Sequence, residues 1–214
     1  MKVLLYTEGL KTVGKSGLGK AIKHQQKALE YENIEYTLDP KDDYDILHVN
    51  TYGPMSMHMI SKAKKACKKV IVHAHSTEED FRDSFILSNK MAPIFKKRLI
   101  NVYSQADYII TPTPYSKQIL EGYGMNVPIV SLSNGIDIDR FCYDEEKVKA
   151  FRRYFSLKEE EKVIISVGLY FERKGLLDFI EVARKLPEYR FIWFGYTPLY
   201  SIPKKIREAV LEDH

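Results

Sequence analysis

The 214-residue chain is 44% hydrophobic and 29% charged, a composition typical of a globular protein rather than of a disordered or low-complexity chain. No stretch approaches the roughly 18 consecutive apolar residues that cross a bilayer, so any membrane contact is expected to be peripheral. The net charge is only +4, but the segment from Pro54 to Gln105 contains ten Lys and Arg residues and only four acidic residues. Such a cluster indicates an acidic partner (a phosphorylated ligand, nucleic acid or an anionic membrane) or an ordinary solvated surface.

The two cysteines indicate a reducing compartment. Cys67 and Cys142 lie far apart and have neither CxxC nor metal-ligand spacing. The N-terminus, MKVLLYTEG, has too short an apolar core for a secretory signal. We therefore expect a cytoplasmic protein.

Strand-like and helix-like stretches alternate along the first part of the chain. Apolar, β-branched runs predict strands, and amphipathic stretches with start signals such as Thr113-Pro114 predict helices. Repeated βα units of this kind predict an α/β fold with a mostly parallel, doubly wound sheet. We expect a first domain at residues 1–140, followed by a connecting helix and linker at 141–162. The predicted strands are 2–7, 34–38, 45–49, 70–74, 108–111 and 128–132, and the predicted helices include 17–31, 55–66 and 92–103.

A second α/β unit is predicted to begin at Val163. The run 163–167 has the apolar, β-branched composition of a buried parallel strand, and a helix, a strand at 191–194 and a final helix follow. Two strands cannot close a doubly wound sheet or cover both its faces. Residues 163–214 are therefore expected to be an incomplete second domain.

Two loops have the composition of anion sites. Arg173 and Lys174 precede a helix that opens at Gly175, so fixed cations and free helix N–H groups could bind phosphate; a solvated surface loop is the alternative. The glycine-rich loop 14–20 has the spacing of a nucleotide-hydrolysing P-loop, but Ala21 stands where such a loop needs Ser or Thr to hold Mg²⁺. What remains is a loop whose amides can approach a phosphate or a sugar closely.

The predicted strand ends carry histidine and asparagine. His73 and His75 share one face of a strand, but no third metal ligand has supporting spacing. His75, at the end of the strand, is placed to contact a ligand, whereas His73 is interpreted as a core histidine. His48 with Asn50, and the turn at 134–135, are further candidates that could equally be structural.

Five motifs occur in the order and spacing of one enzyme family: SGLGKA, the strand-ending HAHS, ADYIITPTPYSKQIL, SNGID followed by Phe, and SVGLYFERKG. The chain resembles the first two-thirds of a GT4 family retaining glycosyltransferase. That resemblance implies the GT-B fold, in which an acceptor-binding and a nucleotide-sugar-binding Rossmann-like domain face each other across a cleft. Within the family the chain is most similar to bacterial enzymes that add a hexose to glucosyl-diacylglycerol.

The resemblance also implies site residues. His75 matches the catalytic histidine near the transferred sugar, and Gly17, Gly19, Arg173 and Lys174 match the positions that bind the donor diphosphate. The implied reaction moves a hexose from UDP-glucose or UDP-galactose with retention, without a metal or other cofactor. Leu169 replaces an arginine that many members carry. The paired-glutamate motif of the family lies beyond the chain, so this polypeptide alone is not expected to be active.

The segment 91–103 could contact the acceptor or the inner face of the cell membrane. Its three consecutive cations, Lys96, Lys97 and Arg98, lie near apolar residues, as in an interfacial helix. A core-facing helix with a solvated basic edge is the alternative.

Other functions stay open at this point. The same loops would serve transfer onto another cell-envelope glycan, or a non-enzymatic module that binds nucleotides or sugar phosphates. A nucleic-acid partner is not expected, because aromatic residues are not interleaved with the lysines on a recognisable platform.

Overall fold

The computed structural model describes residues 1–14 and 16–212 and contains two compact units. The first comprises Met1–Glu79 and Pro93–Ile136, and the second comprises Asp80–Ala92 and Asp137–His214. Of the sequence-based predictions, Lys15 in the glycine-rich loop and the last two residues of the predicted second domain lie outside the described residues. The division into an acceptor-binding domain, a linker and a nucleotide-sugar-binding domain stays a prediction.

The first unit contains a six-stranded sheet in the order β2-β1-β3-β4-β5-β6, with every neighbouring pair parallel. The predicted α/β fold class is therefore confirmed. The strands are β1 (Lys2–Tyr6), β2 (Glu35–Thr37), β3 (Ile46–Val49), β4 (Lys69–His73), β5 (Tyr108–Thr111) and β6 (Ile129–Ser131).

Helices connect all consecutive strands of the sheet except β2 and β3, which a loop joins, and two of these helices begin with clear start signals. The Ser16 hydroxyl accepts a hydrogen bond from Gly19 N at the start of α2, and Thr113 and Ser116 form a reciprocal capping box at the start of α6. Helix α5 begins four residues earlier than position 92, where the sequence pattern placed it. The helices that involve this unit are α1 (Leu10–Val13), α2 (Gly17–Tyr31), α3 (Pro54–Lys65), α4 (Glu78–Phe81), α5 (Ser88–Tyr103) and α6 (Pro114–Glu121).

The core lies where apolar strand residues meet the inner faces of the helices. Leu4 pairs in register with Leu47, and Val72 pairs with Ile109; all four are fully buried. Helices α3, α5 and α6 add residues such as Ile60, Leu99 and Leu120 to the same cluster. This burial fixes the strand register, because a slip by one residue would turn these side chains to the opposite face of the sheet.

The strand order creates a switch point between β1 and β3. From β1 the chain goes first to β2 on one side and then to β3 on the other. In sheets of this kind, ligands bind in the crevice beyond the carboxyl ends of the strands at the switch point. Glu8, Asn50 and His75, which follow β1, β3 and β4, all lie at this edge.

The second unit pairs β7 (Val163–Val167) in parallel with β8 (Arg190–Phe194). The prediction that residues 163–167 form a buried strand is wrong on burial, since Ile165 and Val167 are 49% and 79% exposed. Among the described residues, β7 pairs only with β8. Some side chains of β7 are therefore not packed against another element. Helices α7 (Glu145–Tyr154), α8 (Leu176–Lys185) and α9 (Lys204–Leu211) complete the unit.

Candidate functional site

A cavity of about 620 Å³ opens at the switch point of the first unit. Its walls come from the loops that follow five strands, β1 and β3 to β6, and from the start of α2. Because parallel strands share one carboxyl edge, residues distant in sequence meet here. The polar lining residues include Glu8, Asn50, Thr51, His75 and Asn134, and Gly17 leaves its backbone open to the cavity.

Three histidines stack beside this cavity. The rings of His73 and His75 are parallel with centroids 4.2 Å apart, although β4 ends at His73 and His75 lies beyond the strand, and the ring of His48 lies 5.4 Å from that of His73 on the other side. Burial lowers the pKa of His73 to about 4, with the Asn134 side chain opposing the shift. Burial and the neighbouring histidines lower the pKa of His75 to about 3. At neutral pH both rings are uncharged, so they act as hydrogen-bonding groups and not as cations.

The side-chain amides of Gln25 and Asn50 form a reciprocal hydrogen-bonded pair that contacts His73 and His75. Gln25 Nε2 donates to Asn50 Oδ1 at 2.8 Å, and Asn50 Nδ2 donates to Gln25 Oε1 at 3.0 Å. The same Asn50 oxygen lies 3.0 Å from His75 Nε2, and Gln25 Nε2 lies 3.0 Å from His73 Nδ1. Asn50 and His73 are therefore parts of the site as well as of the packed interior, and Gln25 links them.

Glu8 is a carboxylate of the cavity wall that caps the start of α3. Its Oε2 accepts from the Ser56 backbone N–H at 3.0 Å and from the Ser56 hydroxyl at 3.2 Å. These bonds satisfy an N–H in the first turn, where negative charge is favourable. Because both bonds end on Oε2, Oε1 can accept a hydrogen bond from a hydroxyl in the cavity.

The two predicted glycines of the α2 loop have different surroundings. Gly17 is exposed at the cavity wall, and a Cβ placed there would meet nothing within 4 Å. Gly19 is buried, and its Cβ would lie 2.3 Å from the Gly14 carbonyl oxygen. Gly17 thus leaves room for a ligand, whereas Gly19 permits close packing of the loop on the helix.

Arg173, which was predicted to bind the donor diphosphate, lies in the second unit and contacts other residues of that unit. Its Nη1 is 3.5 Å from Asp80 Oδ1, and its Nε donates to Ser84 Oγ at 3.1 Å. The guanidinium also lies 5.5 Å from the centre of the Phe171 ring. These contacts hold the side chain in one orientation, so an anionic ligand would compete with Asp80 for it.

Lys174 follows on the same 3-10 turn, Glu172–Lys174, and is exposed. Gly175 then begins α8 in the left-handed conformation with φ of 74°, which favours glycine because a Cβ would be strained there. No side-chain hydrogen bond caps this helix start. The loop therefore combines a cation with helix N–H donors, as the sequence predicts.

The cations at 96–98 do not form one shared basic face. The Lys96 ammonium is 3.4 Å from Glu78 Oε2 and 4.3 Å from the centre of the Tyr123 ring. Arg98 Nε donates to the Tyr52 carbonyl at 3.0 Å. Lys97 is the exposed member of the three. Two of the three predicted membrane-facing cations thus hold the fold together.

Residues 1–14 and 16–212 contain neither a cluster of metal-binding side chains nor a helix that could span a membrane. No group of three or more His, Cys, Asp or Glu side chains there could hold a metal ion. No helix in that part of the chain is long and apolar enough to span a bilayer.

Sequence reasoning missed Glu8 and Gln25. Glu8 lies two residues after the end of β1, so its place at a strand end was a usable signal. Gln25 lies in the middle of α2 and reaches Asn50 only through the packing of that helix on the sheet. No local pattern distinguishes it from the adjacent Gln26.

The sequence of this chain matches a known protein family. Residues 26–140, more than half of the chain, match Glycosyltransferase Family 4. The chain belongs to this family. The family prediction made from the sequence motifs is confirmed, together with the GT-B type of α/β fold.

Two relatives in this comparison carry names from lipid glycosylation. "Processive diacylglycerol alpha-glucosyltransferase" of Acholeplasma laidlawii is 53% identical over 213 residues, which are 98% of this chain and 62% of that protein. "Alpha-galactosylglucosyldiacylglycerol synthase" of Streptococcus pneumoniae is 22% identical over 153 residues, which are 71% of this chain and 41% of that protein. This chain thus spans less than two thirds of the length of either relative.

A solved structure shows the same fold. The α,α-trehalose-phosphate synthase (UDP-forming) of Burkholderia vietnamiensis matches with a TM-score of 0.52 and 16% identity, over 90% of this chain and 47% of that one. At this identity the match concerns the fold alone.

Gly19→Ala and Gly17→Ala test the two glycine environments. The added Cβ at position 19 would lie 2.3 Å from the Gly14 carbonyl oxygen, and overpacking of this kind costs about 1–3 kcal/mol. The added Cβ at position 17 would lie in open space, so that variant should be as stable as the parent or more so, by up to about 1 kcal/mol. Chemical denaturation followed by circular dichroism measures both, and equal stability of the two variants would contradict the close approach at Gly19.

Proposed function

We propose that this chain is part of a retaining hexosyltransferase that moves a hexose from UDP-glucose or UDP-galactose onto a membrane lipid of the diacylglycerol or glucosyl-diacylglycerol class. The observation that carries the proposal is the 53% identity to the A. laidlawii diacylglycerol glucosyltransferase over 98% of the chain. The match extends over 213 residues and therefore includes both units of the chain. The geometry of the two units supplies the chemical argument.

The cavity of the first unit suits a ligand rich in hydroxyl groups. Its volume of about 620 Å³ falls within the range of small-molecule sites. Glu8 can accept hydrogen bonds, and Asn50 and the uncharged His75 offer polar atoms without a positive charge. A polar wall of this kind, with a carboxylate and no cation among its described lining residues, favours a sugar or a glycerol hydroxyl over a strongly anionic group. We assign the acceptor hydroxyl, together with the sugar to be transferred, to the neighbourhood of His75.

The basic turn of the second unit supports a role in binding the leaving group. When the bond between the sugar C1 and the diphosphate oxygen breaks, the diphosphate gains negative charge. Cations at Arg173 and Lys174 and the N–H groups of α8 would stabilise that charge more in the transition state than in the ground state. Since Asp80 already pairs with Arg173, the diphosphate would have to replace this carboxylate as its partner.

His75→Ala in the full-length protein is expected to lower kcat by about tenfold to a hundredfold, because a contact made in the transition state is worth roughly 1.5–3 kcal/mol. The assay measures transfer from UDP- and GDP-hexoses to diacylglycerol and glucosyl-diacylglycerol in mixed vesicles. His58→Ala is the matched control, since His58 is an exposed histidine on α3. Nucleotide binding without transfer by the unmutated protein would overturn the proposed reaction and favour a binding module.

Lys174→Ala and Arg173→Ala are each expected to weaken binding of the nucleoside diphosphate by about tenfold or more, since a charge-assisted contact is worth roughly 1.5–3 kcal/mol. Affinity for the uncharged nucleoside should stay the same. Calorimetry on the full-length protein measures both ligands.

Lys204→Ala removes an equivalent exposed cation from α9 and serves as the control. Arg173→Ala also removes the contacts with Asp80 and Ser84, so thermal unfolding is compared in parallel. Equal affinity of the unmutated protein for diphosphate and nucleoside would refute the phosphate site.

We also propose that α5 lies against an anionic membrane surface. Three exposed apolar side chains have the spacing of one helix face. They are Leu87, immediately before α5, and Met91 and Ile94 on α5, and they are 58%, 49% and 69% exposed. Lys90 and Lys97 are exposed on the same helix. Apolar side chains with flanking lysines are typical of interfacial helices. The proposal therefore rests on Lys90 and Lys97, and no longer on Lys96 and Arg98.

Replacing Lys90 and Lys97 by Ser is expected to weaken binding to anionic vesicles by roughly thirtyfold, since each cation near such a surface contributes on the order of 1 kcal/mol. Co-sedimentation with vesicles measures the effect. Replacing Lys62 and Lys65, exposed on α3, by Ser gives the same change in net charge and should have a much smaller effect. The membrane proposal fails if the unmutated protein sediments equally with anionic and neutral vesicles.

A further inference from the structure

The reciprocal amide pair of Gln25 and Asn50 connects two histidines of unequal accessibility. Asn50 is buried, with 2% of its surface exposed, and its Oδ1 lies 3.0 Å from Nε2 of the cavity-lining His75. Gln25 does not line the cavity, but its Nε2 lies within 3.0 Å of both Asn50 Oδ1 and Nδ1 of the buried His73. Every polar atom of the two amides therefore has a partner, which is what buried amides require.

We infer that Gln25 is a positioning residue that acts through Asn50 to hold His75 in the tautomer whose Nε2 carries the proton. The inference deepens the function proposed above and rests on it for the catalytic role of His75, but the hydrogen-bond geometry stands independently. An amide oxygen can only accept, so Asn50 Oδ1 requires the N–H of His75 at Nε2. The remaining ring nitrogen, Nδ1, then has a free lone pair and can accept a hydrogen bond from a ligand hydroxyl.

The orientation of the Gln25–Asn50 amide pair determines the tautomers of His73 and His75 together. With Gln25 Nε2 donating to His73 Nδ1, the proton of His73 lies on Nε2. If both amides turned over, Asn50 would donate to His75 Nε2, and the His75 proton would move to Nδ1. Gln25 would then accept from His73 Nδ1, so the proton of His73 would move from Nε2 to Nδ1. His75 would then offer the cavity a donor in place of an acceptor. The chemistry presented to the ligand thus depends on a side chain outside the cavity.

Buried atoms beside His73 favour the first orientation. His73 Nε2 and Asn134 Oδ1 are both buried without a hydrogen bond among the described residues. The Asn134 side chain also interacts with His73 and raises its pKa against the effect of burial. An N–H on His73 Nε2 complements the Asn134 oxygen, whereas a lone pair on that nitrogen would be repelled by it.

Nuclear magnetic resonance of the full-length protein with ¹⁵N-labelled histidine tests the inference directly. Two-bond ¹H–¹⁵N correlations show which ring nitrogen carries the proton, and the His75→Ala spectrum assigns the His75 signals. The unmutated protein should show His75 protonated at Nε2 alone. Gln25→Glu, nearly the same shape but unable to donate to Asn50, should shift His75 toward the Nδ1-protonated form.

Kinetics of the same variants test the consequence for transfer. Gln25→Ala and Gln25→Glu should each lower kcat by about tenfold with little change in KM for the nucleotide sugar, because Gln25 acts on the chemistry at His75 and touches no ligand. Gln26→Ala, the adjacent glutamine on the same helix, is the matched control and should leave kcat and the His75 spectrum unchanged.

The outcomes separate the two proposals. A His75 proton on Nδ1 in the unmutated protein, or the same His75 tautomer in both Gln25 variants, would overturn the positioning role. Unchanged kcat in both Gln25 variants would overturn it as well. Absence of transfer by the unmutated protein would instead overturn the proposed reaction, and the spectra alone would then decide the role of Gln25.

Discussion

The parallel pairing of β1 between β2 and β3 is the constraint on which the candidate site depends. All six strands of the sheet have their carboxyl ends at one edge, and the strand order opens a crevice between β1 and β3. Glu8, Asn50 and His75 each directly follow or nearly follow a strand, so the sheet brings three chemically different side chains to one cavity. The packed apolar strand centres behind them, including Leu4 and Leu47, keep this edge in register.

Burial determines what these side chains can do. Desolvation keeps the stacked histidines uncharged, since the cost of removing an imidazolium from water exceeds what nearby polar groups return. Neutral imidazole has one donor and one acceptor nitrogen, and their assignment depends on hydrogen-bond partners. The amide pair of Gln25 and Asn50 is therefore more than packing: in the positioning role inferred above, it determines whether the remaining ring nitrogen of His75 offers a ligand a lone pair or an N–H.

The second unit offers cations where the first offers a carboxylate and uncharged polar groups. Its 3-10 turn presents Arg173 and Lys174 at the start of α8, where Gly175 alone tolerates the backbone conformation without strain. Asp80 and Ser84 hold Arg173 in place in the absence of an anion. A cation that is already oriented loses less conformational entropy on binding phosphate, although the phosphate must displace a carboxylate to do so.

Local patterns in the sequence determined the parallel α/β fold, most strand positions and the places of the glycine loop and the basic turn, because apolar periodicity, capping residues and strand ends act over a few neighbouring residues. The roles of His75, Arg173 and Lys174 stay predictions. The sequence patterns did not reveal that Gln25 reaches Asn50, that Asp80 pairs with Arg173, or that Lys96 is held by Glu78. Nor did they show that β7 would be largely exposed. Only the tertiary structure decided these points, because each depends on which distant elements pack together, and a polar side chain acquires its partner and its protonation state from that packing.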